Sequence, residues 1–135
     1  MNREELLGVY RGYLACCNER RFDELGRFVS ERVSGSAPVD GLAAYVEGVR
    51  AVITAFPDYR WEPLTLVVDG DTLAVRLTGR GTHRGPFGGL APTGRRVEVQ
   101  ELVVYRFEDG LVVNCWGDLY PVLREALRAP AAASG

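Results

Sequence analysis

Hydrophobic residues recur at steps of three and four over the first half of the chain and at steps of two over the second. Between residues 3 and 20, Leu6, Tyr10, Tyr13, Leu14 and Cys17 form one stripe, which predicts an amphipathic helix. RRFDELGRFVSERV, residues 20–33, continues the spacing with Phe22, Leu25, Phe28 and Val29 and predicts a second, shorter helix. SGSAPVDG at 34–41 reads as a loop in which Asp40 is placed to cap a third helix. That helix carries Leu42, Tyr45, Val46, Val49, Val52, Ile53 and Phe56 and ends at Pro57.

Beyond Pro57 the pattern is that of strands. YRWEPLTLVVD (59–69) and TLAVRLTGRGTH (72–83) flank a DGD hairpin signal. A Gly/Pro-rich connection, RGPFGGLAPTGR, follows. RVEVQELVVYRFE and LVVNCWGDLY are two further strands, joined at EDG (108–110). PVLREALRA is a closing amphipathic turn or two, and PAAASG a small-residue tail expected to be disordered. Helices followed by antiparallel strands predict an α+β fold in which a curved sheet wraps around the N-terminal helices. Such a sheet encloses a conical space, which is a pocket wherever side chains do not fill it. The expected domain is a single one over 1–128, with 129–135 as tail.

Composition removes several classes of function. The chain has 135 residues and a net charge of −2 with scattered arginines, so it carries no basic footprint for nucleic acid. No apolar run approaches the length of a membrane span, and the acidic start MNREELLGVY does not resemble a signal peptide. Cys16, Cys17 and Cys115 are odd in number and lack CxxC spacing, which predicts reduced buried thiols and a cytoplasmic protein. One histidine and no cysteine pair at ligand spacing predict no metal site.

Candidate chemistry gathers in the last strand. Period two puts Asn114, Trp116 and Asp118 on one face, and Val113, Cys115 and Gly117 on the other. If the first set faces inward, Asp118 sits beside an indole, where burial would raise its pKa toward that of a general base. The alternative is that Asp118 caps the closing helix, with Pro121 near its start. His83 is either a hydrogen-bond or acid/base partner of a ligand, or a structural residue pinning the loop 84–95. Gln100 and Glu101 point to opposite faces of their strand, so only one lines a cavity; both flanking sets are apolar, and alternation leaves the choice open. Tyr13 and Trp61 are expected to line the pocket, whereas Tyr45 sits at core spacing. GPFGGLAPTG is either a lid or a long turn.

FPDYRWE at 56–62, DGDTLAVR at 69–76, GRGTHRGPFGGLAPTGRRVEV at 79–99 and VVYRFEDGLVVNCWGD at 103–118 together resemble the SnoaL-like polyketide cyclase family. The tyrosine-bearing first helix with NERRFDEL is similar to the family's opening. The family belongs to the nuclear-transport-factor-two-like superfamily of cone-shaped α+β barrels. The resemblance implies a pocket for an apolar polycyclic or polyketide-like small molecule, a carboxylate acid/base, and neither metal nor organic cofactor. It also implies a homodimer through the outer sheet face, for which ELVVY and LVVNCW offer surface. Many relatives carry an acid where this chain has Asn114; the order tryptophan, one residue, aspartate is closer to the related epoxide hydrolases.

Three functions follow as expectations. The first is a cofactor-free, aldol-type ring closure in which Asp118 takes a proton from a carbon flanked by carbonyls, with His83 or Gln100 stabilising the oxyanion. The second is epoxide hydrolysis or epoxide-opening cyclisation, with Asp118 as base and Glu101 as acid. The third is a ligand-binding domain without chemistry.

Overall fold

Asn2 starts the first helix, its side-chain oxygen accepting the Glu5 amide at 2.8 Å. This helix, α1 (Arg3–Asn18), buries Leu6, Leu7, Tyr10, Tyr13, Cys16 and Cys17 along the face that the spacing predicts. α2 (Leu42–Ala55) buries Tyr45, Val52 and Ala55, and α3 (Leu119–Arg128) buries Leu123 and Leu127. The computed structural model describes residues 1–36 and 40–128. The tail expected over 129–135 lies outside the described residues.

The five strands are β1 (Val29–Gly35), β2 (Arg60–Asp69), β3 (Thr72–Thr82), β4 (Arg96–Glu108) and β5 (Leu111–Gly117). They form one sheet in the order β1-β5-β4-β3-β2. β2 through β5 pair antiparallel, whereas β1 lies parallel to β5, so the sheet is mixed and not closed. The α+β plan with helices on a wrapped sheet is therefore as expected.

Two expectations about local structure need correction. Residues 20–33 do not form a helix: Phe22–Arg27 is a 3-10 turn, and β1 follows at Val29. The buried pair Val29 and Val33 is four apart, a spacing that suits a helix and also one face of a strand. Pairing of Val29 with Val112, and of Gly35 with Cys115, decides for the strand. Asp40 does not cap α2 either; it bridges to Ser34, and Gly41 at φ 91° occupies the cap.

Turn chemistry explains the hairpins. Glu108 pairs with Leu111 across Asp109 and Gly110, whose φ values of 52° and 80° are those of a tight two-residue turn. β4 alternates buried and exposed residues along its whole length, odd numbers facing the helices. In β5 the alternation slips. One extra residue lies opposite the Arg106–Phe107 step, because Arg106 pairs with Asn114 but Phe107 with Val112. Such a bulge reverses the phase of every following residue.

Candidate active site

Between the sheet and the three helices lies a cavity of about 750 Å³. α1 contributes Tyr13 and Cys17, α2 Tyr45 and Val52, and the sheet Trp61, Leu77, Glu101, Tyr105, Cys115 and Gly117. Glu47, Tyr120 and Arg124 stand at the exposed mouth. Tyr120 ties the two sides of that mouth together, its hydroxyl donating to the Gly48 carbonyl at 2.8 Å.

Glu101 is the buried carboxylate of this cavity. It occupies an odd, inward position of β4, is 7% exposed, and its Oε1 has no hydrogen-bond partner among the described residues. Desolvation pushes its pKa up to about 7; the negative charge of Asp118 adds to the rise and the Trp61 side chain opposes it. A carboxyl group so placed exchanges protons near neutrality, as a general acid/base requires. Gly117 leaves it room: a β-carbon there would stand 3.4 Å from Glu101 Oε2 and 3.2 Å from a Val103 methyl group.

Trp61 is held by an unexpected device. The Asn18 side chain at the end of α1 accepts the Trp61 amide at 2.9 Å and donates to its carbonyl at 3.0 Å, imitating a neighbouring strand. The indole thereby lies against Tyr59, ring centroids 4.7 Å apart. Phenols and thiols make up another part of the lining. Tyr13 and Tyr45 share a hydrogen bond between their hydroxyls, and Tyr45 donates to Cys115 Sγ at 3.6 Å. Burial pushes the Cys17 and Cys115 thiols up to about 12, so both remain protonated and unreactive.

Of the residues that the sequence nominates, Tyr13, Trp61 and Glu101 line this cavity. Tyr45, assigned to the core, lines it as well. Asn114, Trp116 and Gln100 do not. The β5 bulge turns Trp116 outward to 45% exposure and brings Cys115 and Gly117 inward in its place. Asn114 bonds outside the cavity, accepting from Arg106 at 2.8 Å and donating to Ser34 at 2.9 Å. Gln100 is exposed because β4 places its odd residues inside.

Asp118 falls outside the cavity lining, since its carboxylate accepts the Leu102 amide at 2.9 Å and replaces a ladder bond where β5 ends. Its carbonyl accepts the Val122 amide, which opens α3, so the capping alternative holds for its backbone and not for its side chain. His83 is fully buried away from the cavity, against Phe56. Its Nδ1 accepts the Thr93 amide at 3.2 Å and meets Thr93 Oγ1 at 2.9 Å, pinning the loop as the structural alternative expects.

Glycine at 117 and the inward odd phase of β4 were the available signals for Glu101. The phase of β4 is legible over the whole of 96–108, where every odd position except 101 is apolar. The placing of Gly117 beside Glu101 is not readable before the register is known. Among the described residues no three His, Cys, Asp or Glu side chains gather in an arrangement that would hold a metal ion, and no helix is long and apolar enough to cross a membrane.

Comparison with known proteins agrees with this architecture. The family model of SnoaL-like polyketide cyclases matches residues 8–125. A solved SnoaL-like polyketide cyclase from Agrobacterium tumefaciens is 36% identical, with a TM-score of 0.76 over 83% of this chain and 88% of that one. TsrD from Streptomyces laurentii is 26% identical, with a TM-score of 0.85 over 96% and 99% of the two chains. No curated protein matches significantly. The match over nearly the whole chain, together with a carboxylate-bearing cavity under an open wrapped sheet, establishes that this protein belongs to the SnoaL-like polyketide cyclase family.

Proposed function

We propose that the protein is a cyclase that closes a ring in a polyketide-derived molecule by intramolecular aldol addition, with Glu101 in the acid/base role first expected of Asp118. The observation that carries this reading is the buried, inward carboxyl group of Glu101, with one oxygen unpartnered and its ionisation moved to the neutral range. Ionised Glu101 takes a proton from a carbon between two carbonyl groups. The resulting enolate carbon attacks a second carbonyl of the same molecule, forming the carbon–carbon bond. The protonated Glu101 then returns the proton to the new alkoxide, so product is an isomer of substrate and the enzyme is regenerated. Aromatic walls hold the chain folded for attack, which supplies much of the acceleration when both reacting carbons belong to one molecule. This route asks for neither metal nor organic cofactor.

Epoxide hydrolysis would keep Glu101 as the acid, but its proposed base, Asp118, is engaged with the Leu102 amide outside the cavity lining. The geometry therefore favours carbon-acid chemistry. The test uses a bicyclic β-keto ester deuterated at its activated carbon, with loss of deuterium followed by NMR. Wild-type protein should accelerate the exchange and Glu101→Gln should slow it by about 100-fold or more. Equal exchange by the folded variant removes this mechanism.

A homodimer belongs to the same reading. Val67, Ala74, Val104 and Trp116 are successive cross-strand partners and form one apolar row over the outer sheet face. Val67 and Trp116 are exposed at its ends.

A further inference from the structure

The cavity has two chemically different ends. Glu101 and Tyr105 lie on the same face of β4 four residues apart, roughly 13 Å along an extended strand. Around Tyr105 stand the phenols of Tyr10 and Tyr13 and the Cys115 thiol, with Phe107 and the cross-strand Leu73 completing its surroundings. Its ring lies 5.7 Å from that of Tyr13, and Tyr13 lies 6.2 Å from Tyr45. Cys115 is the cross-strand partner of Tyr105 and the acceptor of the Tyr45 proton.

The hydrogen bonds at this end are unevenly satisfied. Tyr45 is placed to donate its only proton to sulfur, a weak acceptor. While it does so, Tyr13 is the donor between the two hydroxyls, either of which can donate. Tyr105, which also lines the cavity, makes no side-chain hydrogen bond to another described residue. Burial and the neighbouring groups hold the Tyr13, Tyr45 and Tyr105 phenols well above their ordinary range, so all three stay neutral donors. A ligand oxygen entering between Tyr45 and Tyr105 would replace sulfur with a stronger acceptor for one proton and give the other a partner. The Tyr13 bond polarises Tyr45 and strengthens what it donates.

We propose that Tyr45 and Tyr105 form an oxygen-binding subsite beside Cys115, four residues along β4 from Glu101, donating two hydrogen bonds to one carbonyl oxygen of the ligand, with Cys115 as the resting acceptor of the Tyr45 proton. The inference rests on the reading of the cavity as the substrate site. It assigns the ligand a second oxygenated end, beyond the one at which Glu101 reacts.

Fluorenone and fluorene test it, since they share a three-ring outline and only fluorenone carries an acceptor oxygen. Binding of each is measured by calorimetry, and the carbonyl stretch of bound fluorenone by infrared difference spectroscopy. Wild-type protein should prefer fluorenone by roughly threefold to tenfold, the worth of one or two exchanged hydrogen bonds. The stretch should move to lower wavenumber. Tyr45→Phe and Tyr105→Phe should each diminish the preference and move the stretch back while fluorene binding stays unchanged. Cys115→Ala should preserve or raise the preference, because it releases the Tyr45 proton.

A preference that survives both tyrosine substitutions overturns the assignment, as does one abolished by Glu101→Gln. Binding of both compounds without preference overturns the subsite alone. Failure of both to bind overturns the reading of the cavity with it. The infrared position in wild-type protein remains decisive should a tyrosine variant fail to fold: an unshifted stretch rejects the proposal.

Discussion

Glu101 Oε2 lies 3.4 Å from where a β-carbon on Gly117 would stand, so the last residue of β5 is small where the cavity carboxylate needs space. The same β-carbon would come within 3.2 Å of a Val103 methyl group, which would have to give by a few tenths of an ångström. Gly117→Val should displace the carboxyl group and lower exchange activity by roughly 10- to 100-fold, since a misplacement of about 1 Å is costly to catalysis. Activity and circular dichroism measured together check this. A folded, fully active variant would show that Glu101 does not act from this position.

The ionisation of Glu101 carries a stability consequence with a definite sign. Its carboxyl group rises from 4.5 to about 7 on folding, so between these values the native state holds a proton that the unfolded state has lost. The favourable contribution is complete below 4.5 and disappears as pH rises through about 7. By linkage the full loss is about 3 kcal/mol. Glu101→Gln should therefore melt nearly as wild type does at pH 4 and higher than wild type at pH 8. Parallel melting curves for the two proteins from pH 4 to pH 8 would contradict the burial argument.

Asp118 and Glu101 should separate in kinetics. Asp118→Asn keeps an oxygen for the Leu102 amide and removes a negative charge that raises the Glu101 pKa. The expected result is retained turnover with the rising limb of the pH–rate profile displaced to lower pH. A collapse of activity comparable to that of Glu101→Gln would return the base role to Asp118.

His83→Phe should act on stability. It takes the ring acceptor from the Thr93 amide, a part-buried hydrogen bond worth about 0.5–1.5 kcal/mol. Exchange activity per folded molecule should stay near that of wild type. Chemical denaturation read beside activity distinguishes this outcome from a catalytic histidine, for which activity would fall at unchanged stability.

Trp116→Glu introduces a charge into the outward apolar row and should yield monomers by light scattering, with the cavity intact. A dimer that survives the change places the interface elsewhere.

Much of this protein is readable from spacing alone. The stripe Leu6–Tyr10–Tyr13–Cys17, the strict alternation of β4 and the turn at Asp109–Gly110 are local patterns, and local patterns name helices, strands and hairpins with no knowledge of partners. They suffice for the α+β plan and the order of most elements. Residues 29–33 read as helix because a spacing of four fits both periods. Only the parallel partner, β5, made them a strand.

That Glu101 and not Asp118 is the buried carboxylate of the cavity was decided by tertiary structure. Period two read along β5 puts residues 114, 116 and 118 on the side of buried Val112. One extra residue, visible only against Arg106 and Phe107, hands the inner face to Cys115 and Gly117 instead. Between Gln100 and Glu101 the nearest neighbours do not decide, since Leu102 and Val104 flank one and Val103 and Tyr105 the other. Over the whole of β4 the odd set Val97, Val99, Val103, Tyr105 and Phe107 is the apolar one, and it is the set that the fold buries. A sequence carries the period of each strand, but the phase of that period against the core is set by register, and register is a property of two strands together.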